Sequence, residues 1–300
     1  MSKPAELLRI ALVCLAGVAL AAPVVAQKAD PAKVAKDLPE SKRDEDPEAS
    51  PRWKAVRQSV WGAQPIAAAT EAQLTLTAPK RAGDPAFVPI AVKSAMPAGQ
   101  PGSIKRITLV IDNNPSPIAA ILDFPEGGAL PQFETRTRID EYSHVRAIAE
   151  TRDGKLLMAS RFVKASGGCS APPGGDVAAM EAAMGKMLFR ADTTQAAAGG
   201  GTTNAAGGVV AVQWTLSHPN HSGMAMDQFT RQYTPAHFLR SVRFTQGDRL
   251  LLEADVDFAL SENPTLRFEF VPQGNAPLKA EASDTRDKRF AGSTRLEDMR

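Results

Sequence analysis

Apolar and polar residues alternate with a period of two along most of this chain, in short runs set off by glycine, proline, asparagine and aspartate. That pattern predicts half-buried β-strands. In the first half the runs fall at residues 74–77, 87–92, 104–112, 118–124, 133–140, 145–150 and 156–163. Asn113-Asn114-Pro115-Ser116-Pro117 and Asp153-Gly154 between them are turn and hairpin signals. Strands this short at this spacing predict an immunoglobulin-like β-sandwich. A second set at residues 209–216, 237–244, 249–257 and 266–271 predicts another, with a hairpin at Gln246-Gly247-Asp248.

Two segments break the period. At residues 51–62, Ser50 suits an N-cap and Pro51 the first helical position. Trp53, Val56, Val60 and Trp61 share one helix face, and Gly62 ends it. Residues 176–189 predict a second helix, with Asp176 as cap and Val177, Met180, Met184 and Met187 on one face. The Ala/Thr/Gly run at 191–208 reads as a flexible linker. The fold class is therefore mainly β: two immunoglobulin-like sandwiches joined by a helix and a linker. The expected boundaries are a first domain at 50–168, a connecting arm, helix and linker at 169–208, a second domain at 209–285 and a charged tail at 286–300 that frays.

The N-terminus has a different character. Lys3 and Arg9 precede an apolar run at 10–22, and Val24-Val25-Ala26 places small residues where a signal peptidase reads. We expect a signal peptide at 1–26, export to the periplasm and no membrane span after cleavage; the alternative is an uncleaved anchor. Residues 27–49 are charged, proline-bearing and poor in large apolar groups, and predict a disordered lead-in. A net charge of +2 without a basic cluster argues against nucleic acid as a partner.

Cleavage after Ala26 would remove Cys14 and leave Cys169 as the single cysteine. In an oxidising compartment such a residue is a free reactive thiol or pairs between molecules; the alternative is an inert buried cysteine, against which the flanking glycines and prolines count, because burial wants an apolar strand or helix around the sulfur. It stands in Ser166-Gly167-Gly168-Cys169-Ser170-Ala171-Pro172-Pro173-Gly174-Gly175, a run that suits neither a helix interior nor a central strand. The expectation is a thiol held out from the fold on a flexible arm of Gly167, Gly168 and Ser170. An arm of this kind builds no oxyanion hole and holds no general base, so it suits transport of a covalently attached group, without a cofactor, better than catalysis. The chain shows no phosphate loop, dinucleotide fingerprint or paired-cysteine zinc motif. A rival chemistry uses Cys169 with His218, His221, Met224 and Met226, whose imidazoles and thioethers are ligands that copper accepts. A third reading is a two-sandwich scaffold with an incidental thiol.

The first half resembles the Y subunit of the periplasmic sulfur carriers of the Sox thiosulfate-oxidation system. The matching residues are Leu76-Thr77-Ala78-Pro79, Ile107-Thr108-Leu109-Val110, Asp112-Asn113-Asn114-Pro115-Ser116-Pro117, Thr137-Arg138-Ile139, Ser143-His144-Val145-Arg146 and Gly167-Gly168-Cys169. The second half resembles the Z subunit in His218-Pro219, Ser222-Gly223, Pro235-Ala236-His237-Phe238, Ser261-Glu262-Asn263-Pro264 and Leu266-Arg267-Phe268. The fused order is similar to the single-chain branch associated with quinoprotein dehydrogenases. The resemblance implies a non-enzymatic carrier with a sulfur chain linked to Cys169, pairing of the Y-like and Z-like domains within the chain, and periplasmic redox enzymes as partners. Those partners would be a haem cytochrome and sulfur-processing enzymes, or a quinoprotein dehydrogenase and its cytochrome. In the two-chain family the cysteine lies in Gly-Gly-Cys-Gly-Gly at a free C-terminus. Here Ser170-Ala171-Pro172-Pro173 and a second domain follow it, so the arm is tethered at both ends.

Overall fold

The computed structural model describes residues 47–97, 99–175, 177–191, 208–227 and 230–299. The expected signal peptide, most of the lead-in, Asp176 and nearly all of the linker lie outside the described residues.

Helix α1 (Pro51–Trp61) forms as its sequence predicts: the Ser50 hydroxyl accepts from the Trp53 amide at 3.2 Å, and Gly62 closes the helix at a φ of +56°. Its fully buried Trp53 packs against Val110, Ile148 and Leu156. The Arg146 guanidinium lies 4.3 Å from the Trp53 ring centre and makes a two-pronged ion pair with Asp112 at 2.7 and 2.6 Å.

Eight strands follow in the first half: β1 (Ile66–Ala68), β2 (Thr75–Thr77), β3 (Val88–Lys93), β4 (Ile104–Ile111), β5 (Ile118–Asp123), β6 (Ala129–Thr137), β7 (Ser143–Thr151) and β8 (Leu156–Val163). After α2 (Val177–Ala183) come β9 (Met187–Ala191), β10 (Val210–Leu216), β11 (Leu239–Gln246), β12 (Arg249–Val256), β13 (Thr265–Phe270), β14 (Leu278–Asp284) and β15 (Arg289–Thr294).

The strands form two sheets, and each sheet runs through both halves of the chain. One has the order β1-β8-β7-β4-β5-β12-β11-β14-β15; the other is β2-β3-β6-β13-β10-β9. The seams are antiparallel. Ile121 of β5 stands opposite Asp255 of β12, and Phe133 of β6 opposite Phe268 of β13. The two sandwiches therefore share one core, in which Leu76, Val92, Leu109 and Phe133 of the first half join Trp214, Phe244, Phe268 and Phe270 of the second. Trp214 meets Phe244 edge-on at 5.3 Å, and Phe244 lies 4.7 Å from Phe268. Each of these buried side chains contributes about 1.5–3 kcal/mol by leaving water, so separating the halves would expose the centre of the core.

Two expectations are corrected here. The helix predicted over 176–189 stops at Ala183. Gly185 then takes a φ of +90°, and Met187 opens the edge strand β9, whose Phe189 pairs with Trp214. Sheet pairing and core packing override the helical spacing of the methionines, so no methionine face exists. The tail expected to fray instead supplies β15, which pairs with β14 along its length (Ala282 opposite Phe290). Phe290 and Leu296 pack on the core and Met299 is buried. Arg289, Ala291 and Ser293 face outward from this strand, while Phe290, Gly292 and Thr294 are partly covered.

Candidate functional site

The thiol segment follows directly from β8. The Lys164 amide donates to the Lys80 carbonyl, the Gly167 amide to Asp140 at 2.7 Å, and the Gly168 amide to Ile139 at 3.0 Å. These bonds draw the chain down onto the end of β6 instead of releasing it. Cys169 is 1% exposed, so the expectation of a thiol displayed on a flexible arm is overturned. The glycines explain the difference. Gly167 has a φ of +80°, a turn conformation that glycine adopts without strain. A Cβ on Gly168 would lie 2.1 Å from the Pro85 carbonyl oxygen and 2.7 Å from that of Ile139. Gly168 is a close-packing residue rather than a flexible link. Ser170, expected in the same arm, is exposed and donates to the Gly167 carbonyl at 3.3 Å.

Both halves of the chain hold Cys169. Its amide donates to Asp140 Oδ1 at 3.3 Å, and its carbonyl accepts from the Ser222 hydroxyl in the β10–β11 loop. Burial pushes the thiol pKa up to about 12; Asp140 and, more weakly, Asp257 add to the rise, while Arg138 opposes it. At neutral pH the sulfur is a protonated thiol, whereas the nucleophile is the thiolate.

Arg138 is the hub of this region. It stands just past β6, and its Nη1 is shared among the carbonyls of Asn220 at 2.8 Å, Leu260 at 2.6 Å and Phe258 at 3.0 Å. Asn220 has a φ of +46°, bonds the Leu260 carbonyl through Nδ2 and accepts from the Leu239 amide. Sequence reasoning did not assign roles to Arg138, Asp140 or Ser222. The partners of Asp140 and Ser222 at Cys169 lie 29 and 53 residues away, beyond any local spacing rule.

Among the rival copper residues, His218 and the two methionines face different surroundings. The His218 ring turns toward His237 and Asp284, while Met224 and Met226 line a cavity of about 500 Å³ with Ser170, Arg231 and Tyr233. His221 is half-buried, and its carbonyl accepts from the His237 amide. The buried group His218, His237 and Asp284 does have ligand-type atoms within 4.8 Å of one another. Its hydrogen bonding argues against a metal. The Asn220 amide donates to His218 Nδ1 at 3.0 Å, which places the ring proton on Nε2, facing Asp284 Oδ2 at 3.5 Å. His237 Nε2 reaches the same oxygen at 2.7 Å, and Asp284 Oδ1 accepts from the amides of Arg286 and Lys288. The group is a satisfied polar network joining the β10–β11 loop to the β14–β15 turn.

That network makes the fold acid-sensitive. Burial and His237 push the His218 pKa down to about 4, against the pull of Asp284. Burial works against the Asp284 carboxylate, but His237, the two amides and His218 outweigh it and hold its pKa low. Both groups bind protons more readily in the unfolded chain: the share of His218 is full above pH 6.5 and lost as pH falls toward 4, whereas that of Asp284 is full above pH 3.8 and lost only below it. For His218 the loss amounts to at most about 3 kcal/mol. Urea midpoints at pH 7.5 and 4.5 should show the drop, and a His218→Gln variant should show a smaller one. An equal drop in the variant would place the acid sensitivity elsewhere.

The chain was compared with known proteins. The family model described as sulfur oxidation protein SoxY matches residues 57–169, ending on Cys169. The model described as sulphur oxidation protein SoxZ matches residues 201–295. Among solved structures, the sulfur carrier protein SoxY from Chlorobium limicola f thiosulfatophilum is 27% identical over 38% of this chain and 96% of its own, with a TM-score of 0.32. A β-glycosidase from Bacteroides vulgatus is 7% identical over 80% of this chain and 26% of its own, with a TM-score of 0.21. The comparison with curated proteins returned no match.

Proposed function

The chain belongs to the SoxY and SoxZ sulfur-oxidation families, fused in one polypeptide, and from this premise we propose that it is a periplasmic carrier that holds a sulfur-containing group covalently on Cys169. The observation that carries the proposal is that the SoxY match ends on Cys169, the only cysteine after residue 26. The SoxY protein among the solved structures is named a sulfur carrier. Carriage, not catalysis, also suits the chemistry of the site. Burial and Asp140 hold the thiol in its protonated form, so it is not a primed nucleophile where it sits.

Joining this thiol to a thiosulfate-type anion forms an S–S bond and releases one proton and two electrons. Loading therefore needs an electron acceptor, the role that the resemblance gives to a haem cytochrome. The fused order of the domains resembles the quinoprotein-associated branch, so a quinoprotein dehydrogenase and its cytochrome are proposed as clients alongside Sox-type enzymes; a thiol tethered on both sides cannot enter a deep channel as a free end. Export rests on the signal-like residues 1–26. No helix among the described residues is long and apolar enough to cross a membrane.

Mass spectrometry of protein taken from its native compartment tests the proposal. A chain beginning after Ala26, with a sulfur-bearing adduct on Cys169, is the expected result. An unmodified Cys169 under all sulfur-oxidising conditions, together with a Cys169→Ser strain that oxidises sulfur compounds normally, would end the carrier reading.

A further inference from the structure

At the end of the fold away from the thiol, two arginines carry positive charge that no carboxylate among the described residues answers. Arg152, just past β7, and Arg249, which opens β12, line one cavity of about 200 Å³ together with Ser103, Phe124, Gly127 and Val271. The cavity lies at the foot of the seam, where Ala129 of β6 stands opposite Phe270 of β13. Both arginines are half-buried. A guanidinium has five N–H donors. Arg152 uses one, to the Phe124 carbonyl at 2.9 Å. Arg249 uses three, to the carbonyls of Gly127 and Val271 at 2.9 Å and to Gln246 Oε1 at 2.7 Å. The Nε of each is buried and meets no acceptor among the described residues. Neither arginine forms an ion pair there, whereas Arg106, Arg146, Arg243 and Arg267 each face a carboxylate. Burial alone pushes the Arg249 pKa down. A guanidinium drawn out of water without an opposite charge is costly, and here two of them border the same space.

We propose that this cavity binds a small divalent oxyanion between the guanidinium groups of Arg152 and Arg249. The spare N–H donors match a ligand that only accepts and offers several oxygens. The size of the cavity sets the class. It holds about seven waters at about 30 Å³ each, which suits a tetrahedral inorganic anion and is too small for a nucleotide or a peptide. Glu126 is the one carboxylate among the lining residues; it is exposed and bonds neither arginine. Arg152 belongs to the Y-like half and Arg249 to the Z-like half, so the anion bridges the two halves where Arg138 does not reach. β6 runs from Ala129, beside this cavity, to Thr137, next to Arg138. Its length puts the cavity roughly 26 Å from the thiol seat at about 3.3 Å per residue. The site is therefore separate from Cys169 and does not rest on the carrier reading.

Titration calorimetry of the full chain with sodium sulfate, at pH 7 in low salt without phosphate, tests the proposal. One site per chain with a Kd of about 1 mM or tighter is expected, and phosphate should compete for it. Arg152→Gln and Arg249→Gln should each weaken sulfate about tenfold or more, through the loss of charge-assisted hydrogen bonds. No saturable binding by about 20 mM sulfate, or native affinity in both variants, would overturn the proposal. If either variant melts early, the arginine Nε–H resonances of the unaltered chain decide. Those of Arg152 and Arg249 should move with sulfate along one saturation curve. Shifts spread evenly over all the arginines, or none at these two, would mean that the cavity takes no anion. Failure of sulfur carriage on Cys169 would leave this site standing.

Discussion

Replacing Gly168 with alanine is expected to expel Cys169 from its seat. The new methyl group would stand 2.1 Å from the Pro85 carbonyl oxygen and 2.7 Å from that of Ile139, and both contacts are main chain. Neither oxygen can rotate away, because Pro85 accepts from Ile139 and Ile139 from Gly168 itself. The strand end must shift, and with it the bond from Asp140 to the Cys169 amide. We expect a loss of about 3 kcal/mol of stability, at the upper end for overpacking, and a thiol that labels as fast as a free cysteine. Gly167→Ala provides the comparison. Its φ of +80° strains an alanine, yet the nearest atom to a new Cβ is Ser170 Oγ at 3.9 Å. That variant should lose about 1–2 kcal/mol and keep the thiol covered. A Gly168→Ala protein with slow labelling and a urea midpoint no lower than that of Gly167→Ala would show that the close packing at Pro85 does not seat the cysteine.

Arg138→Met should destabilise the whole chain by about 3–5 kcal/mol. Arg138 extends from the end of β6 in the first half, and its acceptors at Asn220, Phe258 and Leu260 all lie in the second. Methionine fills much of the space but donates nothing, so the Asn220 and Phe258 carbonyls lose this charged donor in a buried setting. Leu260 keeps the Asn220 side chain, which limits the damage there. Because both sheets and the core cross the seam, the two halves should still unfold together in one transition, shifted to lower urea. A loss below about 1 kcal/mol would mean that water replaces the guanidinium, since an exchanged hydrogen bond is nearly neutral. Two separate transitions would contradict the shared core.

Most of the strands were legible in the sequence. Their alternation and turn residues are local, and β3, β4, β5, β8, β10 and β12 end within a few residues of where those signals place them. The helix from Pro51 to Trp61 was legible because cap, proline and apolar face act within one short segment. Where a distant partner decides, local reading failed. Met187 lies in a helical spacing, but an edge of the six-stranded sheet was available beside β10. Arg289 to Thr294 reads as a charged tail, but β14 had an open side for it.

The thiol site divides the same way. The sequence by itself determined that one cysteine stands among glycines and prolines between two β-rich halves, because composition and order need no fold to be read. It also carried the family motifs on both sides of that cysteine. Only the tertiary structure decided what the glycines are for. Glycine permits both a swinging link and a close approach, and the choice depends on what lies within a few ångströms. Here Pro85 and Ile139 stand against Gly168, Asp140 and Ser222 hold Cys169, and the resulting burial turns an expected display of the thiol into concealment.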